Sequence, residues 1–167
     1  RHLVAMCCYK EPLSLIHATL ATIKAQTEAA QLFVVVGLEE RTPDLAQKRR
    51  ELQDTYDGGT FCGFLVTVHP KGIPGEIPGK CSNSNYATRE GAKALWHKGF
   101  RDPELITVTP LDADNLFPDR YFEFLGYDFF RRENRHEVIW QAPLMYNLQL
   151  DQRPFFVRIT GLLRTFF

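Results

Sequence analysis

The stretch Leu32-Phe33-Val34-Val35-Val36 predicts a buried β-strand, because it is continuous, apolar and mostly β-branched. Another apolar run covers residues 3–8 and predicts an earlier strand of the same kind. Between the two, apolar residues recur at helical spacing from Pro12, which suits the first position of a helix, to Gln26. The order strand, helix, strand is typical of parallel strands joined by a helical crossover.

The alternation of strands and helices continues along the rest of the chain. Further strands are predicted over residues 61–68, 105–109 and 137–141. Further helices are predicted over residues 42–57, 82–97, 118–130 and 155–167. In the first of these helices, Thr42 is expected to cap the N-terminus and Pro43 to take the first position. The whole pattern predicts an α/β fold with a mostly parallel sheet and helices on both faces.

Length and charge narrow the class of protein. The 167 residues are enough for one domain with a sizeable core, so residues 1–167 are treated as a single domain. Lys plus Arg number 20 and Asp plus Glu also number 20. The chain therefore lacks the basic excess that would indicate a nucleic-acid partner. No apolar run approaches the roughly 20 residues of a membrane span, and no signal peptide is recognisable. Because the chain lacks a starting Met and begins almost inside a strand, we expect a fragment of a longer protein.

The cysteines favour a reducing environment. The four cysteines contain no Cys-x-x-Cys pair, so a zinc site is not expected. Cys7 and Cys8 lie in an apolar run and are predicted to be small core residues. This usage predicts a cytoplasmic location, which includes the cytoplasmic face of a membrane.

Two carboxylates one residue apart follow the predicted strand 105–109, in the segment Leu111-Asp112-Ala113-Asp114-Asn115. Such a pair at a strand tip can share one divalent cation. Mg²⁺ prefers oxygen ligands and often binds through one or two carboxylates together with substrate phosphates. Asp-x-Asp also occurs by chance in loops, where the residues form turns or caps, so its meaning depends on its surroundings.

Two other polar segments fall at the ends of predicted strands, over residues 9–11 and 39–41. Ligands of open parallel sheets bind beyond the carboxyl ends of the strands. The coincidence of three polar segments at that edge therefore predicts a binding site. Glu39 and Glu40 could accept hydrogen bonds from a ribose or a base, or they could be a solvated pair of charges.

A loop rich in Pro and Gly, over residues 69–79, leads to Lys80 just before a predicted helix. The loop is not a P-loop, because its glycine spacing is one residue short and Cys81 follows the lysine. A lysine at a helix N-terminus can still bind a diphosphate, and a solvated lysine is the alternative. Asn83 and Asn85 could cap the helix or contact a ligand, and capping is the preferred interpretation.

Two common signatures are missing from the sequence. The turn after the first strand, Cys8-Tyr9-Lys10-Glu11-Pro12, contains no glycine, so NAD and FAD are not expected. No Gly-x-Ser-x-Gly is present, and hydrolysis by a serine triad has no support.

In order and spacing, these segments resemble the family 2 glycosyltransferases, which have the GT-A nucleotide-sugar fold. The matching segments are the turn Cys7-Cys8-Tyr9-Lys10-Glu11, the strand Phe33-Val34-Val35-Val36 with the acidic segment after it, the helix start Gly79-Lys80-Cys81-Ser82-Asn83-Ser84-Asn85, and the Asp-x-Asp strand over residues 106–114. The stretch over residues 69–80 is similar to a bacterial-type subgroup. The resemblance implies a Rossmann-like three-layer sandwich.

The resemblance also implies roles for individual residues. Those that would contact the nucleotide are Tyr9, Glu11, Glu39, Lys80 and Asp112. Asp114 would bind Mg²⁺ or Mn²⁺ and, with Asp112, hold the diphosphate of a nucleotide sugar. A UDP-sugar is the favoured donor, the acceptor is an unspecified glycan or lipid, and transfer would be inverting. The family usually has Asp-Asp where this chain has Glu39 and Glu40.

The acceptor side of the family pattern is missing after Asp114. Neither the later acidic motif that supplies the general base nor a Gln-x-x-Arg-Trp motif is found there. We therefore expect the chain to bind a nucleotide sugar but to transfer the sugar weakly or not at all. A non-catalytic binding or assembly module is the alternative. A nucleotidyltransferase would usually carry a Gly-rich basic segment after the first strand, and this chain has none.

The last predicted helix combines a Phe-rich apolar face with Arg153, Arg158 and Arg164. Its apolar residues are Phe155, Phe156, Ile159, Leu162, Leu163, Phe166 and Phe167. Packing against a further part of the protein is the preferred interpretation, and contact with a membrane surface is the alternative.

Overall fold

The centre of the fold is a sheet of four parallel strands. They are β1 (His2–Cys7), β2 (Leu32–Glu39), β3 (Gly63–His69) and β4 (Thr107–Asp112), in the spatial order β3-β2-β1-β4. Every residue of β1 and β2 is buried, as expected for the central strands of a sheet covered on both faces. This computed structural model describes residues 1–142 and 152–164, with only the backbone of Leu162 and Arg164.

The described residues form two compact units, Arg1–Arg132 and Glu133–Phe167. Their α-helices are α1 (Leu13–Lys24), α2 (Leu45–Tyr56), α3 (Lys80–His97), α4 (Tyr121–Arg131) and α5 (Phe155–Arg164). The first four belong to the unit that contains the sheet, and α5 belongs to the second unit. No helix among the described residues is both long and apolar enough to cross a membrane.

Helix α3 covers one face of the sheet. Leu3, Phe33 and Val35 form a buried cluster with Ala87 and Leu95 of this helix. Neighbouring residues of a strand point to opposite faces of the sheet. The residues next to these three along β1 and β2 therefore point away from α3.

The remaining helices of the first unit lie on the opposite face. The ring of His2, beside Leu3, packs against the ring of Phe122 of α4, with 5.6 Å between the ring centroids and 54° between the ring planes. Tyr56 of α2 lies 5.4 Å from Phe64 of β3, and His17 of α1 makes a 2.9 Å hydrogen bond to the Tyr56 hydroxyl. The structure therefore confirms the predicted α/β fold, a Rossmann-like sandwich of three layers.

The winding of the chain reverses beside β1. From β1 the chain moves outward to β2 and then to β3, and α3 then returns it across the sheet to β4 on the other side of β1. The carboxyl ends of β1 and β4 therefore flank a topological switch point, which is where open α/β sheets bind their ligands.

The predicted fifth strand over residues 137–141 is wrong. Arg135–Glu137 is a short 3₁₀ turn, residues 138–142 have no regular structure, and Ile139 is 93% exposed. A β-branched run becomes a strand only where a neighbouring strand and a packed face stabilise it, and none of the four described strands pairs with these residues.

Several strands extend further than their apolar runs. β2 continues to Glu39 and β3 to His69, while β4 starts at Thr107 and continues through Pro110 to Asp112. A proline is tolerated there because β4 is an edge strand.

The expected cap of α2 is also wrong. The Thr42 hydroxyl accepts a hydrogen bond from the backbone N–H of Glu39 at 3.0 Å, so it closes the turn after β2 instead. Asp44, in the left-handed region with φ of 54°, precedes the helix and makes no side-chain cap.

Two further predictions, on the cysteines and on the final helix, are confirmed for the described residues. Cys7 and Cys8 are buried and form no disulfide, which confirms them as core residues, and Cys62 and Cys81 are also free thiols. The final helix is confirmed over Phe155–Arg164, and Phe166 and Phe167 lie outside the described residues.

Candidate functional site

The two carboxylates lie at the switch point. Asp112 is the last residue of β4 and the register partner of Cys7, the last residue of β1. Asn115 closes a turn behind Asp112: its side-chain oxygen accepts the backbone N–H of Asp112 at 3.0 Å, and its own N–H donates to the Asp112 carbonyl at 3.2 Å. The carboxyl end of β4 is thereby fixed in position.

Ala113 anchors the segment between the two carboxylates. Its side chain is 2% exposed, and its carbonyl accepts a 2.6 Å hydrogen bond from the hydroxyl of Thr19, a buried residue of α1. Asp114 is exposed and Asp112 is partly exposed. The buried residue between the two solvent-accessible carboxylates fixes the backbone of this segment. Its anchoring hydrogen bond uses a backbone carbonyl and leaves the carboxylate oxygens of the pair out of the contact.

Lys80 meets this pair from the other side of the switch point. It is the first residue of α3 rather than a loop residue before the helix, and its ammonium forms an ion pair with the Asp112 carboxylate. The hydrogen bond that the Lys80 ammonium donates to the Asp112 carboxylate raises the pKa of the ammonium, and the nearby charge of Asp114 adds to the effect. The Lys80 and Asp112 side chains are 65% and 47% exposed, so solvent screens the pair.

Asn83 does not cap α3, which corrects the prediction from sequence. It is 1% exposed, and its side-chain amide donates to the carbonyl of Gly37 at 2.9 Å and to that of Cys8 at 3.4 Å. The first turn of α3 is thus tied to the ends of β1 and β2. The Asn83 side-chain oxygen has no hydrogen-bond partner and is buried.

Gly37 is required by this close approach. A Cβ atom at position 37 would lie 2.9 Å from the Ala87 Cβ and 2.9 Å from the Asn83 side-chain oxygen. A glycine inside an otherwise β-branched strand is the sequence signal that could have revealed the contact. Gly37 and Asn83 therefore set the position of α3, and with it that of Lys80.

The residues predicted to lie near the nucleotide base form a second cluster. The backbone N–H of Tyr9 donates to the Glu11 carboxylate at 2.6 Å, and the Arg41 guanidinium lies 4.6 Å from the centre of the Tyr9 ring. Arg41 also donates to the Glu39 carboxylate at 2.5 Å, and this contact raises the pKa of the guanidinium. Sequence reasoning missed Arg41, although it stands two residues after Glu39.

Glu39 is placed differently from expectation. It is the last residue of β2 rather than a loop residue, its side chain is only 8% exposed, and its carboxylate is bound by Arg41. The Glu40 carboxylate accepts the backbone N–H of Lys71 at 2.9 Å, so it is bound locally as well.

Local contacts also bind the carboxylate in the loop after β3. The Glu76 carboxylate forms a hydrogen bond with the His69 ring nitrogen at 2.8 Å and accepts another from the Arg89 guanidinium at 3.1 Å. These contacts lower the pKa of the Glu76 carboxyl group. The acids beside β2 and β3 are therefore held by neighbouring residues, whereas Asp112 and Asp114 remain accessible.

The carboxylate pair fits a cation that arrives with its own ligands. Within residues 1–142 and 152–164, no group of three or more His, Cys, Asp or Glu side chains is arranged to hold a metal ion. Asp112 and Asp114 offer hard oxygen donors from two groups. Mg²⁺ typically keeps several waters and binds through one or two carboxylates plus substrate phosphates, so this donor set suits a metal–diphosphate complex.

A depression of about 540 Å³ lies elsewhere, along α2. Its lining residues are Ala46, Gln47, Arg50, Glu51, Asp54 and Thr55. All of them come from α2, and none belongs to the candidate site.

The sequence matches no protein-family model, and a search of curated proteins found no significant match.

Proposed function

We propose that the chain is the donor-binding part of an inverting glycosyltransferase of the family 2 type. It would bind a nucleotide-diphosphate sugar, with a UDP-sugar favoured, through Mg²⁺ or Mn²⁺ at Asp112 and Asp114. One observation carries the proposal: the two accessible carboxylates stand at the switch point of the sheet, beside the lysine that begins α3.

The diphosphate would be bound by opposite charges from two elements. Lys80 supplies a cation, and the N-terminus of α3 supplies backbone N–H groups. The cap residue is Gly79, and no side chain caps this end of the helix. Asp112 and Asp114 would hold the divalent cation, whose charge stabilises a departing diphosphate. An exposed ion pair such as Lys80–Asp112 is worth about 1 kcal/mol or less, so a ligand can displace it at small cost.

The nucleoside would lie toward the segment after β1. Tyr9 and Glu11 follow directly after the strand that pairs with β4, and Arg41 packs on the Tyr9 ring. Glu39 would contribute indirectly by holding Arg41 in place, because its carboxylate is buried and already paired.

Sugar transfer requires a base for the acceptor hydroxyl, whether the acceptor is a glycan or a lipid. The acidic side chains of α4 are poor candidates. Glu123 is bound by Arg120 and Thr27, which lower the pKa of its carboxyl to about 2, and Asp128 pairs with Arg132. Neither of these two acids is free to act as that base. The acceptor-side motif missing from the sequence is the reason to keep a non-catalytic binding or assembly module as the second candidate.

Calorimetric titration of UDP and then GDP, with and without Mn²⁺, tests the proposal. We expect metal-dependent binding of UDP that weakens about a hundredfold, or about 2.7 kcal/mol, in Asp112→Asn and in Asp114→Asn. Asp57→Asn is the matched control, because Asp57 is an exposed carboxylate at the end of α2.

Three outcomes would count against the proposal. Equal losses in the control would mean that nonspecific charge, rather than the pair, attracts the nucleotide. Binding that is unchanged in both site variants would place the nucleotide elsewhere. A folded sample that binds neither nucleotide would favour the assembly module.

A further inference from the structure

Arg41 presents a positioned guanidinium beside the segment that follows β1. Its Nε–H donates to the buried Glu39 carboxylate at 2.5 Å, and the guanidinium lies 4.6 Å from the centre of the Tyr9 ring. The Arg41 side chain is 45% exposed. An ion pair and an aromatic contact therefore hold this cation at the surface, where a ligand can reach it.

The backbone on both sides of this contact is fixed as well. The Thr42 hydroxyl accepts the backbone N–H of Glu39 at 3.0 Å, and the Thr42 N–H donates to the Glu39 carbonyl at 2.8 Å. On the other side, the ammonium of Lys48, a buried residue of α2, donates to the Glu11 carbonyl at 2.8 Å, and the Glu11 carboxylate accepts the N–H of Tyr9 at 2.6 Å. Both segments are thus ordered before a ligand arrives, which lowers the entropic cost of binding.

The hydrogen-bonding capacity of Arg41 is only partly used. An arginine side chain has five N–H donors and no acceptor. Within residues 1–142 and 152–164, its hydrogen bond to Glu39 goes through Nε, which leaves the Nη groups for a ligand. A group that only donates binds carbonyl oxygens and disfavours amino groups. It would therefore distinguish uracil, which has a carbonyl at O4, from cytosine, which has an amino group at N4.

The spatial order of the strands separates Arg41 from the carboxylate pair. Arg41 follows β2, whereas Asp112 ends β4, and β1 lies between these two strands. Neighbouring strands are about 4.8 Å apart, so the ends of β2 and β4 are separated by about 10 Å. If the diphosphate of a nucleotide lies beside Asp112, the ribose spans this gap, and the base rather than a phosphate comes near Arg41.

We propose that Arg41 selects the base of the nucleotide by donating hydrogen bonds to the O4 carbonyl of uracil. This inference rests on the proposed function and adds to it a preference for a keto base over an amino base. Arg41 would touch the ligand, whereas Glu39 is a positioning residue that acts through Arg41.

Calorimetric titration of UDP and of CDP in the presence of Mn²⁺ tests the inference. We expect the unaltered chain to bind UDP about thirtyfold more tightly than CDP, the size of effect typical of a hydrogen bond to a charged group. Arg41→Gln should bring the two affinities to within about threefold, because an amide can either donate or accept. Arg50→Gln, at an exposed arginine of α2, is the matched control and should keep the preference for UDP.

A second variant, Arg41→Lys, decides the question if loss of the charge beside Glu39 unfolds the chain. It keeps a cation next to this buried carboxylate, so urea unfolding should match that of the unaltered chain more closely. A lysine ammonium lacks the planar fork of a guanidinium, so the preference for UDP should again fall, to about fivefold or less.

The outcomes separate this inference from the proposed function. Lys80→Gln, on the diphosphate side, should weaken UDP and CDP by the same factor and keep the preference. The inference fails, and the proposed function stands, if metal-dependent binding shows no preference for UDP or if the preference survives both substitutions of Arg41. The inference also fails if Arg41→Gln weakens the binding of inorganic pyrophosphate as much as that of UDP, because Arg41 would then bind phosphate. A folded chain that binds neither nucleotide would overturn both.

Discussion

Strands β1 and β4 run side by side, and their two ends treat polar groups in opposite ways. At the amino end, His2 is paired with Thr107, and at the carboxyl end Cys7 is paired with Asp112. His2 is 8% exposed, makes a 2.6 Å hydrogen bond to the Thr107 hydroxyl and packs against the tilted ring of Phe122. A polar residue is thus fully accommodated by the core at one end of the strand pair.

At the other end the polar groups are charged and accessible. The Asp112 side chain is 47% exposed, its ion-pair partner Lys80 is 65% exposed, and Asp114 is exposed beside them. Water can compete for these groups, and so can a ligand. The comparison teaches that a buried, satisfied polar residue contributes to stability, whereas charges that keep accessible oxygens and nitrogens at a switch point are available for binding.

The largest expected effect is at the amino end and depends on pH. Burial lowers the pKa of the His2 imidazole from 6.5 to about 4. A lowered pKa means that the unfolded chain binds the proton first, so stability is full above pH 6.5 and falls as the pH drops from 6.5 toward 4. We expect His2 to account for about 2–3 kcal/mol of the free energy of unfolding lost over that window, measured by urea denaturation at a series of pH values.

His2→Gln should remove this part of the pH dependence, while His97→Gln, at an exposed position in the last turn of α3, should leave it unchanged. If the two variants kept the same pH profile, His2 would not be buried in a neutral form and the contrast between the two ends would fail.

The next effect concerns the contact that positions the carboxyl end. Gly37→Ala introduces a Cβ atom 2.9 Å from Ala87 and Asn83, and overpacking of this kind costs about 1–3 kcal/mol. Gly58→Ala is the matched control, because no atom lies within 4 Å of the added Cβ. Urea unfolding of both variants measures the difference, and equal stabilities would contradict the close approach of α3 to β2.

The smallest effect on stability, with a clear effect on binding, is expected at Lys80. Lys80→Gln and Lys93→Gln each remove an exposed lysine from α3 and break one ion pair, with Asp112 or with Glu90. Both should change the free energy of unfolding by less than about 1 kcal/mol. Only Lys80→Gln should weaken metal-dependent nucleotide binding, about tenfold, in calorimetry. Equal affinities in the two variants would remove Lys80 from the proposed site.

The sequence predicted the fold well where a local pattern carried the information. The runs that became β1 and β2 are continuous and apolar, and the helices show their spacing directly. The position of Asp112 at a strand end also followed from its neighbours. Thr42, Asn83 and the residues 137–141 were predicted wrongly, because a hydroxyl, an amide or a β-branched run can serve several structures equally well.

What the sequence determined by itself is the order of strands and helices and the presence of acids and a lysine near the strand ends. Only the tertiary structure decided which of those acids are bound. Asn83 reaches the Gly37 carbonyl across 46 residues of chain, and Lys80 meets Asp112 across the switch point, while Arg41 occupies Glu39. Such pairs depend on the spatial order of the strands, which local periodicity does not encode, because periodicity sets the buried face of an element and not the neighbour on that face.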